Sequence, residues 1–280
     1  MGLRPTFGRV PTIDGDVFRV DGGVDGPIAR NARDLALLLG TMSGADSRAP
    51  LSLTDDPGAL LAELDDGVGE CRIGWLGDLG GYLATEPGLL ATCAAALARC
   101  TAFGSTVAEA ELPSVPGFES LEAFWPAWVT FRSSQVGPWL HDYYVDDVFR
   151  GRMKPEARWE VETYLRLTAE DLRLAAAVRS GLFRAFESLF RDFDVLALPT
   201  AQVFPFPLDT HWPDVIDGRA MDAYHRWMEV TAPATMAGLS VLALPAGRGP
   251  TGLPIGLQVI APPRAESLLL RFARSWELAN

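Results

Sequence analysis

The chain has 280 residues, 48% of them hydrophobic and 21% charged; this balance supports a buried core and excludes disordered, collagen-like and disulfide-scaffold classes. Its 24 lysines and arginines against 36 aspartates and glutamates leave a net charge of −12, which repels phosphate backbones and argues against nucleic acid as a partner. No apolar run reaches the roughly 18–20 residues of a membrane span, and MGLRPTFGRVP has no signal-peptide core, so a soluble protein in the cytoplasm is expected, folded as one large domain or two modest ones.

In chain order, residues 1–40 are rich in Gly and Pro up to GPIARNARDLALLLG, where Asn31 is placed to cap a short apolar helix ending at Gly40. Residues 41–69 read as polar loop with a short helix around 59–64. Then 71–76 reads as a buried strand, Thr85, Glu86 and Pro87 as a helix start, 89–103 as a helix stopped at Gly104, and 105–111 as a strand. Such a strand–helix–strand unit predicts parallel pairing. The stretch 119–191 reads as helical, interrupted at Pro126, Pro138 and Pro155, with Thr168 and Asp171 as a capping pair for a long helix to Phe190. After it come a strand at 194–198, a proline-rich loop at 199–213, and a helical stretch at 221–236 broken near Pro233. Strands at 240–244 and 255–260 and a terminal helix at 266–278 complete the chain. Alternation of this kind predicts an α/β fold, with helices over a mixed, mostly parallel sheet.

Gly247, Gly249 and Gly252 satisfy the G-x-G-x-x-G spacing of a dinucleotide site. A second strand follows them where a helix is required, and Pro250 removes one amide, so a turn between two strands is predicted and no nucleotide cofactor. The three histidines, His141, His211 and His225, lack metal-ligand spacing, and no cysteine pair is two residues apart; no metal is expected. Cys93 and Cys100 lie about 10 Å apart along the predicted helix at its rise of 1.5 Å per residue, too far for a disulfide, and are expected as buried thiols. The single lysine, Lys154, reads as a solvated side chain at a helix start, and Asp146 with Asp147 as a solvated acidic turn. In FWPAWVTF, the residues Phe124, Trp125, Trp128 and Phe131 share one helix face. That face is either core or the wall of a substrate pocket, and Trp227 admits the same two readings. The pocket residues proposed from sequence are therefore Trp125, Trp128, Phe131 and Trp227.

Five stretches, in order, resemble the amidase signature family, serine hydrolases of amide bonds that use a Ser-cisSer-Lys triad. They are GLRPTFGRVP at 2–11, GPIARNARDLALLLGTMSGAD at 26–46, FDVLALPT at 193–200, PATMAGLSVLALPAG at 233–247 and GLPIGLQVIAPPRAESLLLRFA at 252–273. The resemblance runs from end to end and marks 1–47 and 190–280 as family-like segments around a variable, largely helical 48–190. It implies a mixed sheet between helices, of which this chain supplies the later strands, with the N-terminal part of the fold absent. In the family a nucleophilic Ser is deprotonated through a second Ser by an unprotonated Lys, while backbone amides hold the oxyanion. By that resemblance all three residues belong upstream of Gly2, and Lys154 stands in the wrong segment to replace one of them. Met1 stands where the family carries an aliphatic residue, often Val, a pattern that a GTG codon read as a start would produce.

The expectation is the C-terminal portion of an amidase-type hydrolase with no catalytic residue of its own, no cofactor and no activity alone. The alternative is a non-catalytic interaction module complementing an upstream polypeptide that carries the triad. A sheet missing its first part would expose an apolar edge and face. The expected partner is accordingly an N-terminal amidase fragment or a second copy of the chain.

Overall fold

The strands of the computed structural model, which describes residues 1–19 and 22–279, are in chain order β1 Gly2–Arg4, β2 Arg72–Trp75, β3 Thr106–Glu109, β4 Val195–Pro199, β5 Val215–Ile216, β6 Arg219–Ala220, β7 Ser240–Arg248 and β8 Pro254–Ala261. Six of them form one sheet in the order β1-β7-β8-β4-β2-β3, while β5 and β6 pair only with each other. The helices are α1 Ala32–Met42, α2 Ala59–Ala62, α3 Leu89–Ala98, α4 Phe124–Val145, α5 Asp147–Arg150, α6 Pro155–Tyr164, α7 Ala169–Leu189, α8 Ala232–Met236 and α9 Glu266–Leu278. By its contacts the chain divides into two units, Met1–Leu112 with Glu187–Asn280, and Pro113–Phe186.

The first unit holds the sheet. Strands β4, β2 and β3 are parallel neighbours, whereas β4–β8, β8–β7 and β7–β1 are antiparallel. The expected mixed α/β sheet is thus present, with its parallel share confined to one half. Leu242, Leu244 and Ala246 of β7, Leu257 and Val259 of β8, and Val195 and Ala197 of β4 recur at the two-residue period that brings side chains to one face. They join one core with Leu35 and Leu39 of α1, Leu97 of α3, and Phe272 and Trp276 of α9. All five residues of β4 are buried, which explains why it reads as a continuous apolar run without alternation.

Local signals account for most of these elements. Asn31 caps α1 through a 2.8 Å bond from the Asp34 amide, although the helix runs past Gly40 to Met42. After α3 a 3-10 turn carries the helical path from Arg99 to Phe103 and stops at Gly104. The glycines of GRGPTG lie between β7 and β8, which pair as far as Arg248 and Pro254, so the predicted turn is present. Strand β1 has no sequence signal in three residues; it forms because Leu3 and Arg4 pair with Leu242 and Val241 of β7. Outside β1 the described residues add an isolated bridge from Gly2 to Ile28.

The second unit contains α4 to α6 and most of α7. The expected break at Pro138 does not occur, and α4 runs through it. A proline inside a helix costs about 3 kcal/mol through a lost hydrogen bond and a clash, and close packing outweighs that here. The neighbouring Gly137 lets α4 approach α6 so tightly that a Cβ at this position would overlap Tyr164. Thr168 and Asp171 cap α7 as predicted, with the Asp171 amide 3.2 Å from Thr168 Oγ1 and the Thr168 amide 2.8 Å from the Asp171 carboxylate.

Candidate functional site

Ligands of open α/β sheets bind beyond the carboxyl ends of the parallel strands. In the first unit these are the ends of β2 and β4, at Trp75 and Pro199. The chain leaving β4 is tied down by two buried amides. Gln202 Nε2 donates to the Ala84 carbonyl at 2.9 Å and its Oε1 accepts from the Val230 amide at 3.1 Å. Gln258 Nε2 donates to the carbonyls of Pro199 and Val230 at 2.8 and 2.9 Å. Beside them Tyr82 donates its hydroxyl to Glu229 Oε1 at 2.7 Å, and Arg226 Nη1 donates to Glu229 Oε2 at 3.0 Å. The next residues, 203–207, and the β5–β6 hairpin enclose a recess of about 280 Å³ whose walls include Val203, Phe204, Phe206 and Ile216, with Glu86 and Asp217.

A second polar cluster joins the N-terminal segment to β7 and α9. Glu266, the first residue of α9, accepts from the Thr6 amide at 2.6 Å, from Ser240 Oγ at 2.9 Å and from Arg9 Nη2 at 2.9 Å. Arg9 also pairs with Asp55. The Arg264 amide donates to Thr6 Oγ1 at 2.6 Å, and Thr6 Oγ1 lies 2.8 Å from Ser240 Oγ. One direction satisfies every donor, from the Arg264 amide to Thr6, from Thr6 to Ser240, and from Ser240 to the carboxylate. Each hydroxyl proton is therefore committed to a weakly basic acceptor, so Ser240 and Thr6 serve as clamps and not as activated nucleophiles.

The two buried carboxylates are poised oppositely. Burial pushes Glu266 up, but the hydrogen bonds from Thr6, the charge of Arg9 and the bond from Ser240 outweigh it and hold the carboxyl below its ordinary value. For Glu229 burial wins over Tyr82 and Arg226, and the carboxyl lies above its ordinary value. By linkage, Glu266 contributes stability that is present above the unfolded carboxylate range and is lost as pH falls through its depressed folded value. The Glu229 contribution is present below that range and is lost as pH rises through its raised folded value. Relative to the unsubstituted chain, Glu266→Gln should be destabilised at neutral pH and converge with it below about pH 4, whereas Glu229→Gln should gain as pH rises. Urea midpoints measured across this window check both slopes, and parallel curves for all three proteins would refute the assignment.

The residues proposed from sequence do not converge. Trp125, Trp128 and Phe131 lie in the second unit and Trp227 in the first. Trp125 is buried, and Trp128 and Phe131 are ring neighbours with centroids 6.1 Å apart. Trp227 packs edge-on against Phe206 at 5.4 Å, and its buried Nε1 has no hydrogen-bond partner among the described residues. Lys154 is exposed at the N-cap of α6, and Asp146 caps α5 through the amides of Val148 and Phe149. Cys71, Cys93 and Cys100 are buried and free, and burial pushes each thiol up to about 12. Among the described residues no group of three or more His, Cys, Asp or Glu is placed to hold a metal, and no helix is long and apolar enough to cross a membrane. Sequence reading missed Tyr82, Glu229, Gln202 and Gln258 as well as the Thr6–Arg9–Ser240–Glu266 cluster. Their partners are far away in the chain, and no local pattern marks them.

The model of the Amidase family matches residues 1–270. An acylamidase of Rhodococcus erythropolis is 31% identical over 290 residues, covering 99% of this chain and 56% of that protein. A glutamyl-tRNA(Gln) amidotransferase polypeptide of Anaeromyxobacter sp. is 30% identical, with 99% of this chain and 58% of that protein covered. Among solved structures, a bacterial aryl acylamidase of the amidase signature family superimposes with a TM-score of 0.85 at 23% identity, over 100% of this chain and 58% of that one, which shows the shared fold. The chain thus spans a little over half the length of these relatives. On the family match and the identity to its relatives, the chain belongs to the Amidase family.

Proposed function

We propose that the chain is the C-terminal portion of an amidase-type hydrolase. Joined to a polypeptide that supplies a lysine and two serines, it forms an enzyme that hydrolyses a carboxamide C–N bond to carboxylate and amine or ammonia. The 280 residues by themselves turn over no amide. In the complete enzyme the nucleophilic serine attacks the carbonyl, its proton passes through the second serine to the lysine, and backbone amides hold the oxyanion. The amine leaves with a proton, and water then cleaves the acyl-enzyme.

The observation that carries this reading is the placement of the one lysine. A Ser-Lys mechanism needs a lysine shut away from water beside a serine, and Lys154 is exposed at the start of α6. Two further features support it. The relatives are longer than this chain by a little under half of their own length. Next to β1 the sheet continues only as the isolated bridge to Ile28 among the described residues, and Ile28 and Phe18 are 82% and 76% exposed, a surface suited to cover by a further polypeptide. The free buried cysteines suit a reducing compartment such as the cytoplasm.

The test begins with the intact mass of the native protein and continues with an amide and anilide panel, assayed on this chain alone and together with the polypeptide encoded upstream of it. The expected result is no turnover alone and turnover with the upstream polypeptide that a serine-directed inhibitor abolishes. Hydrolysis by the isolated chain that is blocked by such an inhibitor and survives Lys154→Ala would overturn the proposal.

A further inference from the structure

We propose that the recess between residues 203–207 and the β5–β6 hairpin is a binding site for a compact apolar cation, an aryl- or alkylammonium group. Its walls are apolar, from Val203, Phe204, Phe206 and Ile216, and the ionisable residues among its lining, Glu86 and Asp217, are both acids. A ligand that fits must therefore combine a small hydrophobic body with positive charge, and an anion meets carboxylates with no lining cation to offset them.

The site is built and not improvised. Glu86 Oε2 accepts from the Phe204 amide at 2.8 Å, which holds the side chain against the segment forming the wall. Its other oxygen carries no hydrogen bond among the described residues. Asp217 and Gly218 occupy the hairpin turn at φ 46° and 73°, the backbone that Asp-Gly adopts in a two-residue hairpin loop. Turn geometry thus presents the Asp217 carboxylate without an ion pair among the described residues. Arg219, the cation of the hairpin, donates instead to the carbonyls of Tyr82 and Gly81 and so anchors the hairpin.

The aromatic walls are braced. Gly249 approaches the Phe204 ring so closely that a Cβ there would overlap it, and Phe206 meets Trp227 edge to face at 5.4 Å. Rings held in this way present fixed faces, which attract a cation while the carboxylates supply its counter-charge. A volume of about 280 Å³ admits a single-ring ligand.

The probe is benzylammonium, titrated into the 280-residue chain at neutral pH and followed by indole fluorescence, with Trp227→Phe assigning the signal to the indole beside Phe206. Benzyl alcohol and benzoate serve as neutral and anionic isosteres. The expected result is saturable binding of benzylammonium with a Kd of about 1 mM, about fivefold weaker binding of benzyl alcohol, and none of benzoate. Glu86→Gln, which retains an acceptor for the Phe204 amide, and Asp217→Asn, which suits the turn, should each raise the Kd about threefold or more. No saturation by benzylammonium, or equal binding of the three ligands, overturns the proposal even if the variants fail to fold. Unchanged affinity in folded Glu86→Gln and Asp217→Asn does so as well. Binding here requires no catalysis, so loss of ammonium binding and loss of amide turnover are separate outcomes.

Discussion

Replacing Glu266 by alanine is expected to lower folding stability by about 3–5 kcal/mol, the cost of leaving a buried partner charge uncompensated. The side chains of Glu266 and Arg9 are 0% and 4% exposed, and their oxygen and nitrogen lie 2.9 Å apart. Without the carboxylate the Arg9 guanidinium keeps only Asp55, whose side chain is 57% exposed. The Thr6 amide and the Ser240 hydroxyl lose an acceptor in the same step. Glu266 also opens α9, where the partial positive charge of a helix N-terminus favours an anion. Urea denaturation at neutral pH measures the loss, and a loss under about 1 kcal/mol would show that the cluster is not the clamp inferred from its geometry.

Gly8→Ala is expected to act on the same clamp from its other side. Gly8 has φ 85° and sits against the backbone of Leu51, whose carbonyl oxygen a Cβ would overlap. Its own carbonyl accepts from the Leu53 amide at 2.8 Å, so neither strand of the contact can withdraw without breaking a bond. Left-handed strain contributes about 1–2 kcal/mol and overpacking about 1–3 kcal/mol. Because Gly8 adjoins Arg9, the two substitutions share one structural consequence, release of segment 5–10 from loop 50–58 and α9. A double-mutant cycle should therefore give less than the sum of the single losses, whereas strict additivity would mean that the two contacts are independent.

Much of the scaffold was legible because its signals are local. The apolar spacing of α1 with Asn31 ahead of it, the stop at Gly104, the Thr168–Asp171 cap and the continuous run of β4 are each written within a few residues. The reading of GRGPTG as a turn followed from the strand after it, and the family resemblance followed from the order of short stretches. Expectations failed where distant packing overrode a local rule. Pro138 would end an isolated helix, yet α4 continues because Gly137 admits α6. The three residues of β1 would not form a strand without β7 beside them. The four aromatic side chains grouped as one pocket fall in two units, since helical spacing reports which residues share a face and not what that face meets.

The class of fold, most helices and strands, the kinship to amidases and the lack of a second lysine beside Lys154 are all written in the chain itself. Each depends on residue identity and on periods of two to four residues. The polar sites have another origin, in the packing of segments distant along the chain. Glu266 meets Thr6 across 260 residues, Tyr82 meets Glu229 across 147, and the ammonium recess joins Glu86 to Phe204 across 118. Such pairs leave no periodic trace because the sheet brings them together. Burial then sets their charge, holding one carboxylate low where donors surround it and another high where desolvation prevails.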